Sequence, residues 1–562
     1  MAVEYYPSAA LDRPSTRISV DSSAITGTSS GSDKLVMLVG SATGGQPNTV
    51  YKVRNYVQAK EIFRGGELLD ALELAWNPST NETGAGDILA MRVEDATPAT
   101  LVKGPLTFTS KLFGTEANAI QVAYEEEEIA TVTTKNLTVS FAPDNYTRVY
   151  RDLGNIFTIT YDGTAAYAGV EVVSGALNLY TGADAATSTL AVSFVTGSGV
   201  YENANVLVNA INSVTGFHAV MPSSADKNIK TSGLDLLAKT AVTGSGKIIT
   251  GVTADIQKQL QYNPYVSVAV GVGALTEFIA TNLTGGTDGA VPESWATKFP
   301  HFANEGGYYL VPVTDKPAVH AEAVAFVEER TENGDPMRVI CGGAYDETAD
   351  ELLARAATLR NARATLVGFS STVTLDSGVV KQIPAYLSAA QVAGLASGLP
   401  IGEPITFKHV KISNLTKIFD SAQLDMLNTA GVVMTEFVRN RTETSFRLVD
   451  DVTTYNDRTD PVRNQMAIGE SNDFLVSELK INLDNNFIGT RVVNVSASLL
   501  KSHIQSFLST KKANDEIQDF DAEEIQVVIN GEIASISMVV YPVRGLKRIE
   551  VSLVYKQQAL TA

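Results

Sequence analysis

The stretch IQVVINGEIASISMVVYPVRGLKRIEVSLVY, residues 525–555, predicts three consecutive β-strands. Ile525 to Ile529 is an apolar run, and the dipeptide Asn530-Gly531 after it favours a two-residue hairpin turn. Ile533 to Tyr541 returns as a second strand, and Leu546 to Tyr555 forms a third, in which alternating apolar and polar residues predict one buried face. The residues of that face are Ile549, Val551, Leu553 and Tyr555. Such a strand needs a partner edge, either in its own sheet or in the sheet of another molecule.

The composition is typical of a large protein with several domains. The chain has 562 residues, of which 44% are hydrophobic and 19% charged, so it can bury large cores. Its formal net charge of −19 argues against nucleic-acid binding through a basic face. No apolar run is long enough to span a bilayer, and residues 1–10 lack the pattern of a secretory signal. We therefore expect no nucleic-acid partner and no membrane insertion.

Two parts of the chain alternate strands with helices, which predicts an α/β domain. They are residues 34–104 and, after an interruption, residues 227–400. The spacing of the helix–strand repeats predicts a doubly wound parallel sheet, whose core strands include Val266–Val270 and Tyr308–Val313.

The remaining parts of the chain have different patterns. Residues 1–33 are rich in Ser, Thr and Ala and predict an extended arm with one strand at Arg17–Val20. Residues 105–226 carry short strands between turns, which predicts an inserted β-rich domain. Residues 401–544 predict an α+β domain, and residues 545–562 a strand arm. The long helices predicted in the α+β domain cover about 472–482 and 496–508. The chain is thus predicted to be multidomain, with α/β and α+β parts.

Residues that could support catalysis are present, but not in recognised patterns. Five histidines and one cysteine, Cys341, show no metal-ligand spacing. Gly244-Ser245-Gly246-Lys247 fails as a phosphate-binding loop, and Gly271-Val272-Gly273 does not complete a dinucleotide fingerprint, so we interpret both as turns. Asp315 and Asp450-Asp451 could serve in acid–base chemistry, but nothing places two carboxylates across a cleft. We expect no enzyme activity, no cofactor and no metal, although spacing alone does not decide whether a Ser–His–Asp triad forms.

Seven long stretches carry a resemblance to a known family. They are PNTVYKVRNYVQAKEIFRGGELLDALELAW (47–76), ILAMRVEDA (88–96), LTGGTDG (283–289), FANEGGYYLVPV (302–313), VHAEAVAFVEER (319–330), EFVRNRTETSFRLVDDVTTYND (436–457) and EIQDFDAEEIQVVINGEIASISMVVYPVRGLKRIEVSLVYKQQAL (516–560). The chain resembles the tail sheath proteins of contractile bacteriophages, most strongly those of large virulent phages of Gram-positive hosts. About 125–245 departs most from the family, as a variable outer domain would.

The resemblance implies a fold and a function. It implies an inner domain built from both chain ends, a subtilisin-like α/β domain and inserted outer domains. Subunits are expected to stack as six-fold rings around a tail tube, and contraction is expected to drive the tube through the host envelope for genome ejection. The implied partners are further copies of the chain, the tail tube protein, and the baseplate and tail terminator proteins. The implied location is the virion, after assembly in the host cytoplasm.

The resemblance also implies terminal arms that add strands to the sheets of neighbouring subunits. The residues assigned to these arms are Arg17, Ile18, Ser19 and Val20 near one end and Ile549, Val551, Leu553 and Tyr555 near the other. Lys547 and Arg548 are candidates for an inner-surface charge that faces an acidic tube wall or acidic neighbours such as Asp519 and Asp521. Ordinary solvated charge is the alternative for this pair.

Three rival interpretations come from other protein classes. A subtilisin-like hydrolase would need Ser, His and Asp side chains that converge in one cleft. A cell-surface lattice protein should carry a secretion signal, which the sequence does not indicate. A tail tube protein would be much shorter and would have no place for the α/β domain.

Overall fold

The computed structural model describes most of the chain, which divides into two compact units. The main unit draws on Met1–Ala42, Pro47–Val93 and Val291–Ala562, and the inserted unit draws on Thr43–Gln46 and Glu94–Ala290. The described residues are 3–4, 19–20, 34–129, 132–222, 229–244, 246–271, 273–376, 378–439, 444–488, 496–531, 533–545, 547 and 552–553.

The helices and strands are numbered here in chain order. The helices are α1 (Tyr56–Phe63), α2 (Glu67–Trp76), α3 (Ala204–Ile211), α4 (Val252–Gln259), α5 (Pro317–Glu332), α6 (Ala349–Leu359), α7 (Ala385–Gly398), α8 (Ser421–Thr429), α9 (Pro461–Asn464), α10 (Met466–Asn486) and α11 (Ala497–Ala513). The strands are β1 (Val3–Glu4), β2 (Ser19–Val20), β3 (Leu35–Gly40), β4 (Tyr51–Val53), β5 (Ile88–Arg92), β6 (Pro98–Lys103), β7 (Leu106–Phe113), β8 (Ile120–Ile129), β9 (Val132–Phe141), β10 (Tyr146–Tyr150), β11 (Asn155–Tyr161), β12 (Tyr167–Val173), β13 (Ala176–Gly182), β14 (Thr189–Val195), β15 (Phe217–Val220), β16 (Leu237–Ala241), β17 (Lys247–Thr250), β18 (Val266–Val270), β19 (Phe278–Asn282), β20 (Gly307–Pro312), β21 (Arg338–Gly342), β22 (Ala364–Val367), β23 (Ser371–Thr374), β24 (Val380–Ile383), β25 (Asn414–Leu415), β26 (Val432–Val433), β27 (Thr435–Arg439), β28 (Thr444–Leu448), β29 (Ile517–Phe520), β30 (Gln526–Asn530), β31 (Ile533–Ser537) and β32 (Val540–Pro542).

The main unit is built on a seven-stranded sheet in the order β26-β22-β21-β20-β3-β5-β4. Every neighbouring pair is parallel except β4 with β5. The chain steps from β3 to β5 in one direction and from β20 to β22 in the other, which is the pattern of a doubly wound sheet. The strands β3, β5, β20, β21 and β22 are buried at nearly every position because α2, α5 and α7 pack on the sheet. The predicted parallel sheet is confirmed.

Local signals fix where several helices begin. The Asn55 side chain accepts a 2.9 Å hydrogen bond from the Gln58 backbone N–H, which caps the start of α1. Thr348 and Glu351 form a capping box at the start of α6. The two long C-terminal helices are confirmed but extend further than predicted, to 466–486 and 497–513.

The inserted unit is built from antiparallel sheets. Their orders are β10-β9-β8-β19, β15-β11-β17, β14-β13-β12-β16 and β18-β7-β6. Two apolar clusters fill this unit, one around Phe157 and Leu179 and one around Phe108 and Phe141. Both glycine-rich stretches interpreted as turns lie between strands here, although Ser245 and Val272 fall outside the described residues.

One strand belongs to a different sheet from the one predicted. Val266–Val270 is a strand, but it pairs with β7 of the inserted unit, and only Val266 is buried. The prediction that it is a core strand of the parallel sheet was wrong, because an apolar run does not reveal its partner strand. The inserted unit, at 94–290, is also wider than the predicted β-rich domain at 105–226. The six-domain division stays a prediction.

The inserted unit begins and ends at adjacent backbone positions. The Thr97 backbone N–H donates to the Thr287 carbonyl at 2.9 Å, and the two hydroxyl oxygens are 2.8 Å apart. We expect that replacing residues 98–286 with a short Gly/Ser linker will leave the main unit folded, because its apolar core is built from residues outside this range. Far-UV circular dichroism and cooperative thermal unfolding would check this. An insoluble or non-cooperative product would contradict it.

Candidate functional site

A buried ion pair joins the start of the sheet to α10. The Lys34 ammonium lies 2.9 Å from Glu470 Oε1, and both side chains are only 3% exposed. Tyr309 donates its hydroxyl to Glu470 Oε2, and the Gly402 backbone N–H donates to Oε1 at 3.0 Å. Each oxygen of the Glu470 carboxylate therefore has a partner, which a buried charge requires.

A second buried cluster lies one helical turn further along α10, at Asp473. Asp473 Oδ2 accepts from Arg338 Nε at 3.0 Å and from the Tyr308 hydroxyl at 2.9 Å. Arg363 donates to both carboxylate oxygens, at 3.0 and 3.1 Å. Gly469 makes room for this cluster, since a side chain there would collide with the Arg338 guanidinium. We call the two clusters together the α10 network.

The α10 network keeps its tyrosines neutral and its carboxylates paired. Burial raises the pKa of Tyr308 and of Tyr309 well above the usual range, so both hydroxyls act as donors. Residues three apart on a helix share one face, so Glu470 and Asp473 both point at the sheet. The network therefore fixes the first two turns of α10 by directional bonds to β20, β21 and the residue before β3.

Beyond Asp473, α10 becomes part of a smaller C-terminal substructure. Ile504, Leu508, Ile517 and Ile525 form a separate buried cluster, and Leu475 and Leu483 of α10 pack against it. The helix is thus shared between the large sheet and this cluster. Strands β29 and β32 pair with each other, as do β30 and β31.

The hairpin β30–β31 has strand edges without a partner among the residues that the structure describes. The predicted hairpin is confirmed, but its turn lies one residue later than Asn530-Gly531 predicts, because Asn530 is still in β30 and pairs with Ile533, and Gly531 has a φ of 63°. Val528 and Ile533 are 61% and 69% exposed. The single strand predicted for Ile533–Tyr541 is instead two, because the chain leaves β31 after Ser537 and pairs again as β32 with β29.

Lys547 is held by a carboxylate of its own chain. Its ammonium lies 2.8 and 3.0 Å from the two oxygens of Asp450. The acidic neighbours named from sequence are not its partners, and Asp519 pairs with Lys512 at 2.8 Å. Arg548, the other candidate inner-surface charge, lies outside the described residues.

Most of the predicted arm residues fall outside the described residues. Those are Arg17, Ile18, Ile549, Val551 and Tyr555. Ser19 and Val20 form β2, which pairs antiparallel with β1 of the same chain. Leu553 is described and is 69% exposed. Pairing of either arm with another subunit stays a prediction.

The side chains considered for catalysis make structural contacts. His320 Nε2 lies 2.7 Å from the Thr314 carbonyl, and burial lowers its pKa to about 4. His218 pairs with Asp162 at 3.0 Å, and the His503 ring contacts the Asn482 side-chain oxygen. Burial raises the pKa of Cys341. Within the described ranges no three His, Cys, Asp or Glu side chains are grouped to hold a metal ion, and no helix is long and apolar enough to cross a membrane.

Asp451, beside Asp450, is a buried carboxyl at the start of α10. Its Oδ2 accepts from the Ala467 backbone N–H at 3.0 Å, while Oδ1 is buried without a hydrogen-bond partner. Burial raises its pKa to about 7. Asp450 and Asp451 therefore serve the C-terminal segment and α10, and the structure does not place them as a catalytic pair across a cleft.

Sequence reasoning missed the α10 network. Glu470 and Asp473 stand three apart in the stretch MAIGESNDFLV, between apolar residues, and that spacing could have signalled two buried carboxylates on one face. Their cationic partners were not readable in the same way, since Arg338 lies 135 positions before Asp473 in the chain.

Replacing Asp473 with Asn should strongly destabilise the main unit. The change leaves the Arg338 and Arg363 cations without their buried counter-charge, and breaking such a pair typically costs about 3–5 kcal/mol of unfolding free energy. Urea unfolding would measure the loss. Asp484→Asn is the matched control on the same helix, because its pair with Lys480 is exposed and should contribute under about 1 kcal/mol. Equal effects of the two changes would contradict this.

Asp451 should make stability fall as the pH rises. Its folded pKa of about 7 lies above its unfolded value of about 3.9, so the folded protein retains a proton that the unfolded chain releases. The stability from this proton is fully present below about pH 4 and is lost as the pH rises through about 7. The unfolding free energy of the native chain, relative to Asp451→Asn, should decline across this window in urea titrations. A difference independent of pH would show that Asp451 is ionised throughout.

Comparison with known proteins identifies the family. No protein-family model matches the chain. The chain is 45% identical over its full length to the full-length tail sheath protein of Staphylococcus phage Twort, and 54% identical, again over both full lengths, to a protein of Enterococcus phage phiEF24C that is also described as a tail sheath protein. Its fold is similar to that of the sheath tail protein of Listeria innocua, with a TM-score of 0.55 at 14% identity over 93% of this chain and 95% of that one. As the sequence resemblance implied, the chain belongs to the family of phage tail sheath proteins.

Proposed function

We propose that this chain is the repeating structural subunit of a contractile tail sheath. Copies would polymerise as stacked six-fold rings around a tail tube, and contraction would drive the tube through the host envelope for genome ejection. The observation that carries the proposal is the β30–β31 hairpin, whose edges have no partner among the described residues, close in sequence to the predicted C-terminal arm.

Strand addition at such an edge gives a strong and tolerant link between copies. Backbone N–H and C=O groups make the bonds, so the link fixes direction without depending on particular side chains. At about 1 kcal/mol net for each hydrogen bond, a strand matching the five residues of β30 would contribute several kcal/mol. The partly exposed Val528 and Ile533 would add apolar burial on docking.

The same proposal assigns roles to the rest of the chain. The mostly parallel seven-stranded sheet supports assigning the main unit's α/β part to a subtilisin-like domain, used here without hydrolysis since fold does not imply function. The inserted unit is assigned to the outside of the tail. The tail tube, baseplate and tail terminator proteins are the proposed further partners, in the virion after assembly in the host cytoplasm.

Contraction in this proposal draws its energy from the lattice. An extended sheath that is metastable relative to a contracted one with more buried surface needs no nucleotide to contract. The links between copies must then survive while other contacts slide. Backbone-paired strands suit this role because their bonds do not depend on the side-chain contacts that change.

Removing residues 548–562 should abolish tube formation without unfolding the subunit. The truncation keeps Lys547 and its bonds to Asp450 but deletes the residues that would add to a neighbour's sheet. Electron microscopy and sedimentation would measure assembly, and circular dichroism would check the fold. Removal of Thr561 and Ala562 alone is the matched control and should leave assembly intact.

A synthetic peptide of residues 546–558 should also inhibit assembly of the full chain by occupying the open edge. A peptide of the same composition in scrambled order is its control. Normal tube formation by the chain that lacks residues 548–562 would contradict the proposal that strands link the copies.

A further inference from the structure

The Asp450 carboxylate is positioned by its own surroundings. Thr406 Oγ1 donates to Oδ1 at 3.1 Å, and the Asp451 backbone N–H donates to the same oxygen at 2.8 Å. The Asn428 side-chain amide lies 3.5 Å from Oδ2. The side chain is only 15% exposed. Asp450 is thus a fixed acceptor, formed by residues far from the C-terminal segment in sequence.

The C-terminal segment contacts the rest of the main unit at two described residues, Lys547 and Gly545. Lys547 bonds both oxygens of Asp450, at 2.8 and 3.0 Å. Two residues earlier, the backbone of Gly545 lies so close to the Pro404 ring that an added Cβ would be 3.0 Å from Pro404 Cγ. Pro404 and Thr406 belong to one loop, so Gly545 lies against that loop and Lys547 bonds the carboxylate that Thr406 helps to position.

The pKa of Asp450 depends in part on Lys547. Burial alone would raise the pKa of Asp450, but the hydrogen bond and charge of Lys547, together with the bonds from the Asp451 backbone and Thr406, more than offset it and leave the pKa lowered. Asp451 is buried beside it. Loss of the Lys547 cation would leave a partly buried carboxylate next to a second acidic group, which is unfavourable.

We propose that Asp450 and Lys547 form a latch that fixes the root of the C-terminal segment to its own subunit. The latch then fixes the point from which the chain continues beyond Lys547. Tyr555, the last predicted arm residue, is eight positions on, so at about 3.3 Å for each residue it can lie at most about 30 Å from that point. The latch thereby limits which neighbouring sheet the arm can enter. This last consequence rests on the proposed function, whereas the latch is a property of the single subunit.

The latch also connects the arm to the centre of the main unit. Asp450 is followed by Asp451, whose carboxylate accepts from the backbone of Ala467 in the first turn of α10. One turn on, Glu470 binds Lys34 and Tyr309 of the sheet. A mechanical force on the arm would therefore be transmitted through Lys547 and Asp450 to α10, and from α10 to the sheet.

Chymotrypsin cleavage of the unassembled subunit tests the latch directly. Breaking the latch with Lys547→Gln should speed cleavage within residues 541–555 about tenfold, because a charge-assisted pair is stronger than a neutral hydrogen bond. Asp450→Asn should do the same. Lys547→Arg, which keeps a cation that can donate to Asp450, should retain slow cleavage. Lys480→Gln, which removes an exposed ion pair of α10, should not change the rate.

A second measurement distinguishes loss of the latch from misfolding of the variant. Cys341 is the chain's single cysteine and is buried, so a nitroxide attached at Leu553→Cys reports on the segment alone. The label should become more mobile in Lys547→Gln while circular dichroism stays unchanged. Unchanged cleavage and label mobility in Lys547→Gln, or fast cleavage in Lys547→Arg, would overturn the latch. Tube assembly, scored separately, tests the proposed function, so the two can fail independently.

Discussion

The two buried carboxylates of α10 determine how the C-terminal half of the main unit is attached. Glu470 and Asp473 are each surrounded by donors from the sheet, and neither can shift without leaving a buried charge unpaired. Apolar contacts would tolerate sliding or rotation of the helix, whereas these bonds accept one register. Among the described elements that follow, α11 and the strand pairs β29–β32 and β30–β31 share one apolar cluster with the second half of this helix.

The main unit has a buried central sheet and, near its C-terminal end, strand edges without a partner among the described residues. Its sheet is buried on both faces, and its polar contacts to α10 are nearly inaccessible to water. The β30–β31 hairpin, by contrast, is two-stranded and largely exposed. An isolated two-stranded hairpin is marginally stable in water, and three or more strands are needed for independent stability. The β30–β31 hairpin would therefore gain most from a partner strand.

The sequence predicted elements well where the signal is local. Asn530-Gly531 predicts the hairpin to within one residue of its turn, and Tyr308–Val313 matches β20, at 307–312, within a residue at each end. It failed where the information lies in a distant partner. Val266–Val270 reads as a core strand although its partner is an antiparallel strand of the inserted unit. Lys547 reads as free surface charge, because its acceptor lies 97 positions away.

An exposed hairpin edge also favours aggregation of the subunit before it assembles. Unpaired backbone groups attract any extended chain, and crowded copies would join in disordered ways as readily as ordered ones. The formal charge of −19 opposes this by mutual repulsion, which weakens as the ionic strength rises. Spontaneous association through this edge should therefore become faster as the ionic strength rises.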